Sequence, residues 1–492
     1  MLDFNPDDIA VPKGHFIDGA LVAGDGDSLP VRRPSDNQVY ADLPVASAAM
    51  VDRAVMSAQR AFQTTAWASG PPRDRARILR RWADLIEAHA IELAQIEALG
   101  STRPVKDVIA VDIPYAADCI RFFAEYADKL RGDVAATRTD QLGLVIAEPY
   151  GVVAAIAPWN FPITQAVTKI GPALAAGNAV VLKPSEMTPF SMLRVAELAI
   201  EAGMPPGLLN IVQGSGAVTG DGLCRHPAVG KISFTGSTRT GAAIMAASAE
   251  SGVKPLTLEL GGKSPQLVFA DAPDLDKVAR SIANSILGNA GQVCVAGSRL
   301  VVQRGAEAEL VDRITALAAE VRPGPTWSGE TSYAPIISTP QLDRIDGIVR
   351  RTVAEGGEAV IGGRRLAAIQ DGAYYEPTIL AGVSSDMEAV REEIFGPVLT
   401  VQTFDDEEEG LSLAAHPVYG LAAGVHTGDV SRALRAVRRI NAGTIWVNRY
   451  GRTTDFVIPT GGYNSSGIGK DLGRQAVEAN MRFKSVLIDF AG

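Results

Sequence analysis

The chain has 492 residues, of which 47% are hydrophobic and 21% charged, and its formal net charge is −10. This composition builds a sizeable buried core over two or three domains and excludes a disordered, collagenous or disulfide-dense protein. With 46 Lys+Arg against 56 Asp+Glu there is no basic surplus for a nucleic-acid partner.

The first 140 residues read as a short antiparallel opening followed by helices. His15-Phe16-Ile17-Asp18-Gly19 and the turn at Pro34-Ser35-Asp36-Asn37 suit short strands and a hairpin. From Ala46 to about Lys129 the pattern is helical. Within Arg73–Gly100, Ile78, Leu79, Trp82, Leu85, Ile86 and Leu93 recur at three and four, and Ser101-Thr102-Arg103-Pro104 interrupts the segment.

From Leu142 to about Gly262 short apolar runs alternate with helical stretches. The runs are Val152–Ala157, Ala179–Leu182, Leu209–Val212, Lys231–Phe234 and Leu256–Leu260. Met192–Ala202 and Thr240–Ser251 lie between them. Runs without polar alternation suit strands covered on both faces, which predicts a parallel α/β sheet. A second α/β series runs from Gln266 to about Val447, with strands such as Ala423–His426 and Thr444–Val447. A glycine-rich stretch, Gly461–Gly473, precedes an apolar end, Ser485–Ile488.

Three cysteines (Cys119, Cys224, Cys294) are too few and too scattered for a disulfide framework or a zinc cluster. The five histidines show no ligand spacing, so no metal is expected. The opening MLDFNPDDIA lacks a signal-peptide layout, and no apolar run reaches the ~18–20 residues of a membrane span. The expectation is a soluble cytoplasmic protein with reduced thiols and no membrane partner.

Several stretches carry chemistry. Gly291-Gln292-Val293-Cys294-Val295-Ala296-Gly297-Ser298-Arg299 sets a thiol among small residues; it is a nucleophile if its thiolate is favoured, and a structural cysteine otherwise. Glu259 ends an apolar strand just before Gly261 and Gly262, where a carboxylate suits a general base or a solvated strand end. Phe234–Gly241 follows a strand and opens a helix, offering backbone N–H groups and a hydroxyl to a pyrophosphate. Gly214–Gly220 is near GxGxxG, with its last glycine one place late. Pro158-Trp159-Asn160-Phe161-Pro162 and Lys183-Pro184-Ser185-Glu186 follow strands. There an amide could hold an oxyanion, and a Lys–Glu pair could address a ribose.

In this order and spacing the stretches resemble the aldehyde dehydrogenase superfamily. The resemblance covers essentially the whole chain and includes Gly171–Asn178, Glu393–Val398 and Ser466–Gly473. It implies an α/β fold with a Rossmann-type cofactor domain (1–130 and 150–261), an α/β catalytic domain (262–460) and a small β-flap. The flap (131–149) and tail (461–492) would mediate a homodimer or homotetramer. Cys294 would be the nucleophile, passing through a thiohemiacetal and a thioester, with the oxyanion held by Asn160 and the Cys294 N–H. Glu259 would activate the hydrolytic water, and Lys169 with Asp471 would relay its proton. Many relatives carry glutamate where Asp471 stands, and the shorter acid reaches one methylene less.

The resemblance further implies NAD, with NADP possible, held by Ile156, Trp159, Lys183, Glu186, Gly216, Gly236, Ser237, Gly241, Glu393 and Phe395. Gln165, Thr168, Gly288, Val293, Arg449, Arg452 and Thr460 would line the substrate pocket. Gln165, Thr168, Gly288 and Thr460 are smaller or more polar than the bulky side chains of many relatives and suit a bulky, aromatic or carboxylate-bearing aldehyde; Arg449 and Arg452 could pair with such a carboxylate or make inter-subunit or surface contacts. Glu259 argues against a CoA-acylating semialdehyde dehydrogenase, which lacks that glutamate. Cys294, Glu259 and Asn160 together argue against a non-catalytic binder of the same fold.

Overall fold

The protein is seen in a computed structural model that describes residues 2–369, 371–451 and 454–490. The five apolar runs become strands Val152–Ile156, Ala179–Lys183, Leu209–Ile211, Val229–Thr235 and Leu256–Glu259, paired in parallel. Every residue of the first two is buried, as expected for strands covered on both faces. Across the sheet they stand third, second, first, fourth, fifth in chain order. The winding therefore reverses between Val152–Ile156 and Val229–Thr235. A crevice opens at the carboxyl ends of strands at such a reversal, which is where doubly wound sheets bind ligands.

The sheet is parallel only in its centre. On one edge the hairpin His15–Ile17 and Ala20–Val22 adds antiparallel, with Asp18 and Gly19 at φ 57° and 82° in its two-residue turn. On the other edge Gly467–Ile468 pairs antiparallel with Leu258 and Glu259. The segment read as one helical stretch, Arg73–Gly100, is two helices, Pro72–Ala88 and Ala90–Gly100, broken at His89 (φ −101°, ψ 22°). Leu79, Trp82 and Ile86 of the first are fully buried, each contributing about 2–3 kcal/mol of burial. The Trp82 indole N–H is satisfied by the Val195 carbonyl at 2.8 Å.

A second, seven-stranded sheet has the order Glu358–Ile361, Thr378–Ala381, Val398–Phe404, Arg299–Gln303, Pro265–Val268, Ala422–His426, Thr444–Val447. It is parallel except for its first pair. A three-stranded flap joins Asp133–Ala135, Gln141–Pro149 and Met481–Asp489. Residues 463–468 pair elsewhere: Tyr463–Asn464 with Tyr419–Gly420, and Gly467–Ile468 with the first sheet. Among the described residues no helix is long and apolar enough to cross a membrane.

Candidate active site

The loop that carries Cys294 is bent by its backbone. Helix Leu275–Leu287 ends at Gly288, and Asn289, Ala290 and Gly291 then run left-handed at φ 49°, 50° and 71°. Gly291 is required there twice over. Its φ is strained for a side chain, and a Cβ would lie 2.1 Å from the Gly396 carbonyl oxygen.

Polar bonds hold the strained turn. The Gln292 amide donates to Asn289 O and Pro335 O, both at 2.9 Å, and accepts from the Ile337 N–H at 2.9 Å. Asn160 Nδ2 donates to Gln292 O, and Asn289 Nδ2 donates back to Asn160 O, each at 3.0 Å. The Tyr450 hydroxyl donates to Val295 O at 2.8 Å, pinning the loop on the far side of the thiol. Strain over-determined in this way is typical of functional loops. Cys294 is partly exposed, whereas Cys119 and Cys224 are buried. Burial pushes the Cys224 thiol up to about 12 and raises that of Cys119 well above its ordinary value, so both are structural.

Cys294 and Asn160 open on one cavity of about 1040 Å³. Gln165, Thr168, Gly288, Val293 and Arg449 line it as the sequence predicts. Gly288 sits in an ordinary conformation, and a Cβ there would meet no atom within 4 Å, so the width is real. Thr460 does not line the cavity: it is buried and exchanges backbone bonds of 2.7 and 2.8 Å with Asp471. Arg452 lies outside the described residues.

Glu259 is buried at its strand end but does not line that cavity. Its Oε1 faces Gly461, where a Cβ would lie 2.7 Å away, and its charge is felt by Lys470. The Lys470 ammonium, lowered from its usual range by burial, donates to Gly461 O at 2.8 Å. The neighbouring Asp471 makes a buried ion pair with Lys169 at 3.1 Å. The shorter acid therefore does reach its lysine. The Thr460–Asp471 bridge joins the segment that holds Gly461, which faces Glu259, to the one that holds Asp471.

The second cluster of residues stands at the sheet's reversal. Ile156 lies in register with Lys183 on one side and Phe234 on the other. Lys183 is buried, which lowers its ammonium, and it pairs with Glu186 at 2.8 Å. Burial raises the Glu186 carboxylate, but Lys183 and a bond from the Gly216 N–H outweigh this and leave it below its ordinary value. Ser237 caps helix Thr238–Glu250, and Gly236 and Gly241 flank it; a Cβ at either would meet Phe234 or Leu260 within 2.6 Å.

Across the crevice Glu393 accepts from the Gly262 N–H at 3.0 Å, and desolvation pushes its carboxyl up to about 7. Phe395 stands at φ 55° with its ring edge-on to Trp159, centroids 5.3 Å apart. Gln341 and Arg344 hold that turn by bonding the carbonyls of Glu393, Ile394 and Phe395.

Several contributors were not legible in the sequence: Asn289, Gln292, Tyr450, Gln341, Arg344 and the buried Lys263. Gln292 lies inside a recognised motif, but its bonds run to Pro335 and Ile337, 43 and 45 residues away. Lys263 Nζ has no hydrogen-bond partner among the described residues, and burial, with Arg299 nearby, lowers its pKa to about 7.

The family model described as "Aldehyde dehydrogenase family" matches residues 21–486. The chain is 40% identical over 481 residues to the NADP/NAD-dependent aldehyde dehydrogenase PuuC of Escherichia coli (strain K12), covering 98% of this chain and 96% of that one. Among solved structures it matches an indole-3-acetaldehyde dehydrogenase complexed with NAD+, at TM-score 0.96 and 41% identity, over 98% of both chains. A gamma-glutamyl-gamma-aminobutyraldehyde dehydrogenase from Burkholderia cenocepacia matches at TM-score 0.95 and 43% identity, over 99% of this chain and 98% of that one. With nearly the whole length matched by the family model and by relatives about 40% identical, and with the thiol and the amide lining one cavity, the chain belongs to the aldehyde dehydrogenase family.

Proposed function

We propose that the protein oxidises a bulky, aromatic or carboxylate-bearing aldehyde to its acid with NAD, through covalent attachment to Cys294. The observation that carries this reading is the single cavity lined by both the Cys294 thiol and the Asn160 amide. Its width supports a bulky substrate, as do relatives whose names carry indole-3-acetaldehyde and gamma-glutamyl-gamma-aminobutyraldehyde.

The Cys294 thiolate adds to the aldehyde carbon, giving a thiohemiacetal. One Asn160 N–H is committed to Gln292 O, leaving the second, with the Cys294 backbone N–H, for the oxyanion. NAD, when bound, supplies the hydride acceptor that converts the thiohemiacetal to a thioester. Glu259 turns from Gly461 toward the thioester and takes the proton of the attacking water. The proton then leaves by way of Lys169 and Asp471, and the acid is released.

The residues present fit NAD. Glu186, fixed by Lys183 and Gly216, suits ribose hydroxyls and disfavours a 2′-phosphate, while the Lys183 charge leaves NADP possible. Ser237, Gly236, Gly241 and the Thr238–Glu250 helix N-terminus suit a pyrophosphate. Glu393 and Phe395, with Trp159 and Ile156, suit the nicotinamide end. The unpartnered Lys263 amine beside Glu393 leaves polar capacity there. Residues 1–130 and 150–261 form the cofactor domain and 262–460 the catalytic domain. The flap and strand Met481–Asp489 expose Val134, Ile146, Phe483, Leu487 and Ile488, which supports a homo-oligomer through that face. A catalytic thiol that must stay reduced suits a reducing cytoplasm.

The test is NADH formation from short aliphatic, long aliphatic, aromatic and carboxylate-terminated aldehydes, with NAD⁺ and NADP⁺. Turnover should favour the bulky or anionic members with NAD⁺ and vanish in Cys294→Ala. Turnover that survives Cys294→Ala overturns the nucleophile assignment, and acetaldehyde as the only good substrate overturns the substrate reading. A thioester product in the presence of CoA would establish the acylating reaction instead.

A further inference from the structure

Helix Leu275–Leu287 runs the length of the substrate cavity. Lys277, Arg280, Ser281, Asn284 and Ser285 line it in turn, ending at Gly288 beside the Cys294 loop. Away from the cavity Ala279, Ile282, Ala283 and Ile286 are buried, so the helix is held rigidly and offers the cavity a stripe that is polar except at Val278. The stripe ends in charge. Lys277 and Arg280, with Arg449 from the facing loop, line the cavity, and none of the three makes an ion pair among the described residues. Arg449 donates only to the Gly451 carbonyl, at 3.2 Å.

The other charges there do not cancel them. Arg103 and Asp112 satisfy each other in a buried pair at 2.7 Å. Asp276 is turned to Arg313 on the outer face. Asp274 is the one carboxylate left among the described residues that line the cavity, and it caps the helix by accepting the Lys277 N–H at 2.8 Å. Three cations therefore face one carboxylate, on a chain whose formal net charge is −10. Between mouth and floor the wall is apolar at Val111, Tyr115, Phe161 and Val293.

We propose that Lys277 and Arg280, assisted by Arg449, bind a carboxylate at the far end of the aldehyde substrate. This rests on the oxidation at Cys294 proposed above and narrows its substrate class to long, apolar-bodied, anionic aldehydes. The helix rises about 1.5 Å per residue, so Arg280 and Lys277 stand roughly 12 to 16 Å along the axis from Gly288. Helical side chains lean toward the helix N-terminus, away from Gly288, which places the anion on the order of 12 Å or more from Gly288 and the reacting end of the cavity. A short semialdehyde cannot span this, and a cation-terminated aldehyde meets like charge.

The test compares kcat/KM for a long-chain ω-oxo carboxylate, its methyl ester and a trimethylammonium-terminated aldehyde of similar length, using full-length enzyme and NAD⁺. The wild type should prefer the acid over the ester, through KM, and raising the ionic strength should erode that preference. Each exposed charge is worth up to about fivefold, so Lys277→Gln with Arg280→Gln should lower the acid-to-ester ratio by about 2- to 25-fold. Lys277→Glu with Arg280→Glu should shift preference toward the trimethylammonium substrate. An acid-to-ester ratio near one in the wild type, or one unmoved in the double variants, overturns the proposal while NADH formation from the ester keeps the Cys294 reading. No NADH from any of the three with wild-type enzyme overturns both.

Discussion

The floor and the mouth of the substrate cavity are built on different principles. At the floor Asn160, Asn289 and Gln292 are buried and bond one another's backbone in a closed set, around a turn with three consecutive left-handed residues. At the mouth Lys277, Arg280 and Arg449 are exposed and unpaired. A reacting atom must be placed to a fraction of an ångström, and only buried, mutually satisfied groups achieve that. A charge that attracts a flexible tail needs no such precision, and leaving it solvated avoids a desolvation cost. The difference teaches where chemistry and selectivity separate in this molecule: a change at the floor should act on kcat or folding, and one at the mouth on KM.

The sharpest way to break that comparison is the buried pair behind the floor. Asp471→Asn leaves Lys169, wholly buried and with no other hydrogen bond among the described residues, without its counter-charge. A loss of about 3–5 kcal/mol in urea unfolding is expected, with hydrolytic turnover falling alongside. Unchanged stability would mean the pair is not the buried unit described. Next, Asn160→Ala should lower kcat by about 10²–10³. Because Asn160 also ties down Gln292, the alkylation rate of Cys294 should be measured in parallel. An unaltered rate assigns the loss to the oxyanion, and a fallen rate assigns it to a displaced loop.

On the cavity wall, Gly288→Leu fills open space without backbone cost. It should cut kcat/KM for a bicyclic aromatic aldehyde about 10-fold relative to propanal, in KM. Equal effects on both substrates would contradict the separation of floor from mouth.

The smallest effect is on stability. Lys263 carries a buried amine with no hydrogen-bond partner among the described residues, and Lys263→Met should raise stability by about 1–2 kcal/mol near neutral pH. Its folded pKa, about 7, lies below the ordinary lysine value of 10.5, so the unfolded chain binds the extra proton between them. Wild-type stability therefore gains with pH across that window, and the advantage of Lys263→Met should be full below pH 7 and shrink toward pH 10.5. Chemical denaturation at stepped pH checks the sign.

What could be read from residues was whatever depends on neighbours in the chain. The parallel strands showed as apolar runs, and the helix break at His89 did not, because both halves keep the same three–four spacing and only their packing bends them. The apolar end Ser485–Ile488 was visible as a run, but its partner Leu142–Val145 lies over 300 residues away and only the register of the two strands joins them. Thr460 was misplaced for a tertiary reason. It is buried in a bridge to Asp471, a residue eleven positions on, and does not line the cavity.

By itself the sequence determined the strand ends, the Cys294 and Asn160 motifs and the Lys183–Glu186 pair, since each is set within five residues by backbone direction and strand length. Only the tertiary structure decided the width at Gly288, the resting place of Glu259 against Gly461 and the convergence of Lys277, Arg280 and Arg449. These depend on distances between elements up to about 200 residues apart in the chain, and an inter-element distance follows from how whole sheets and helices pack, which no local pattern encodes.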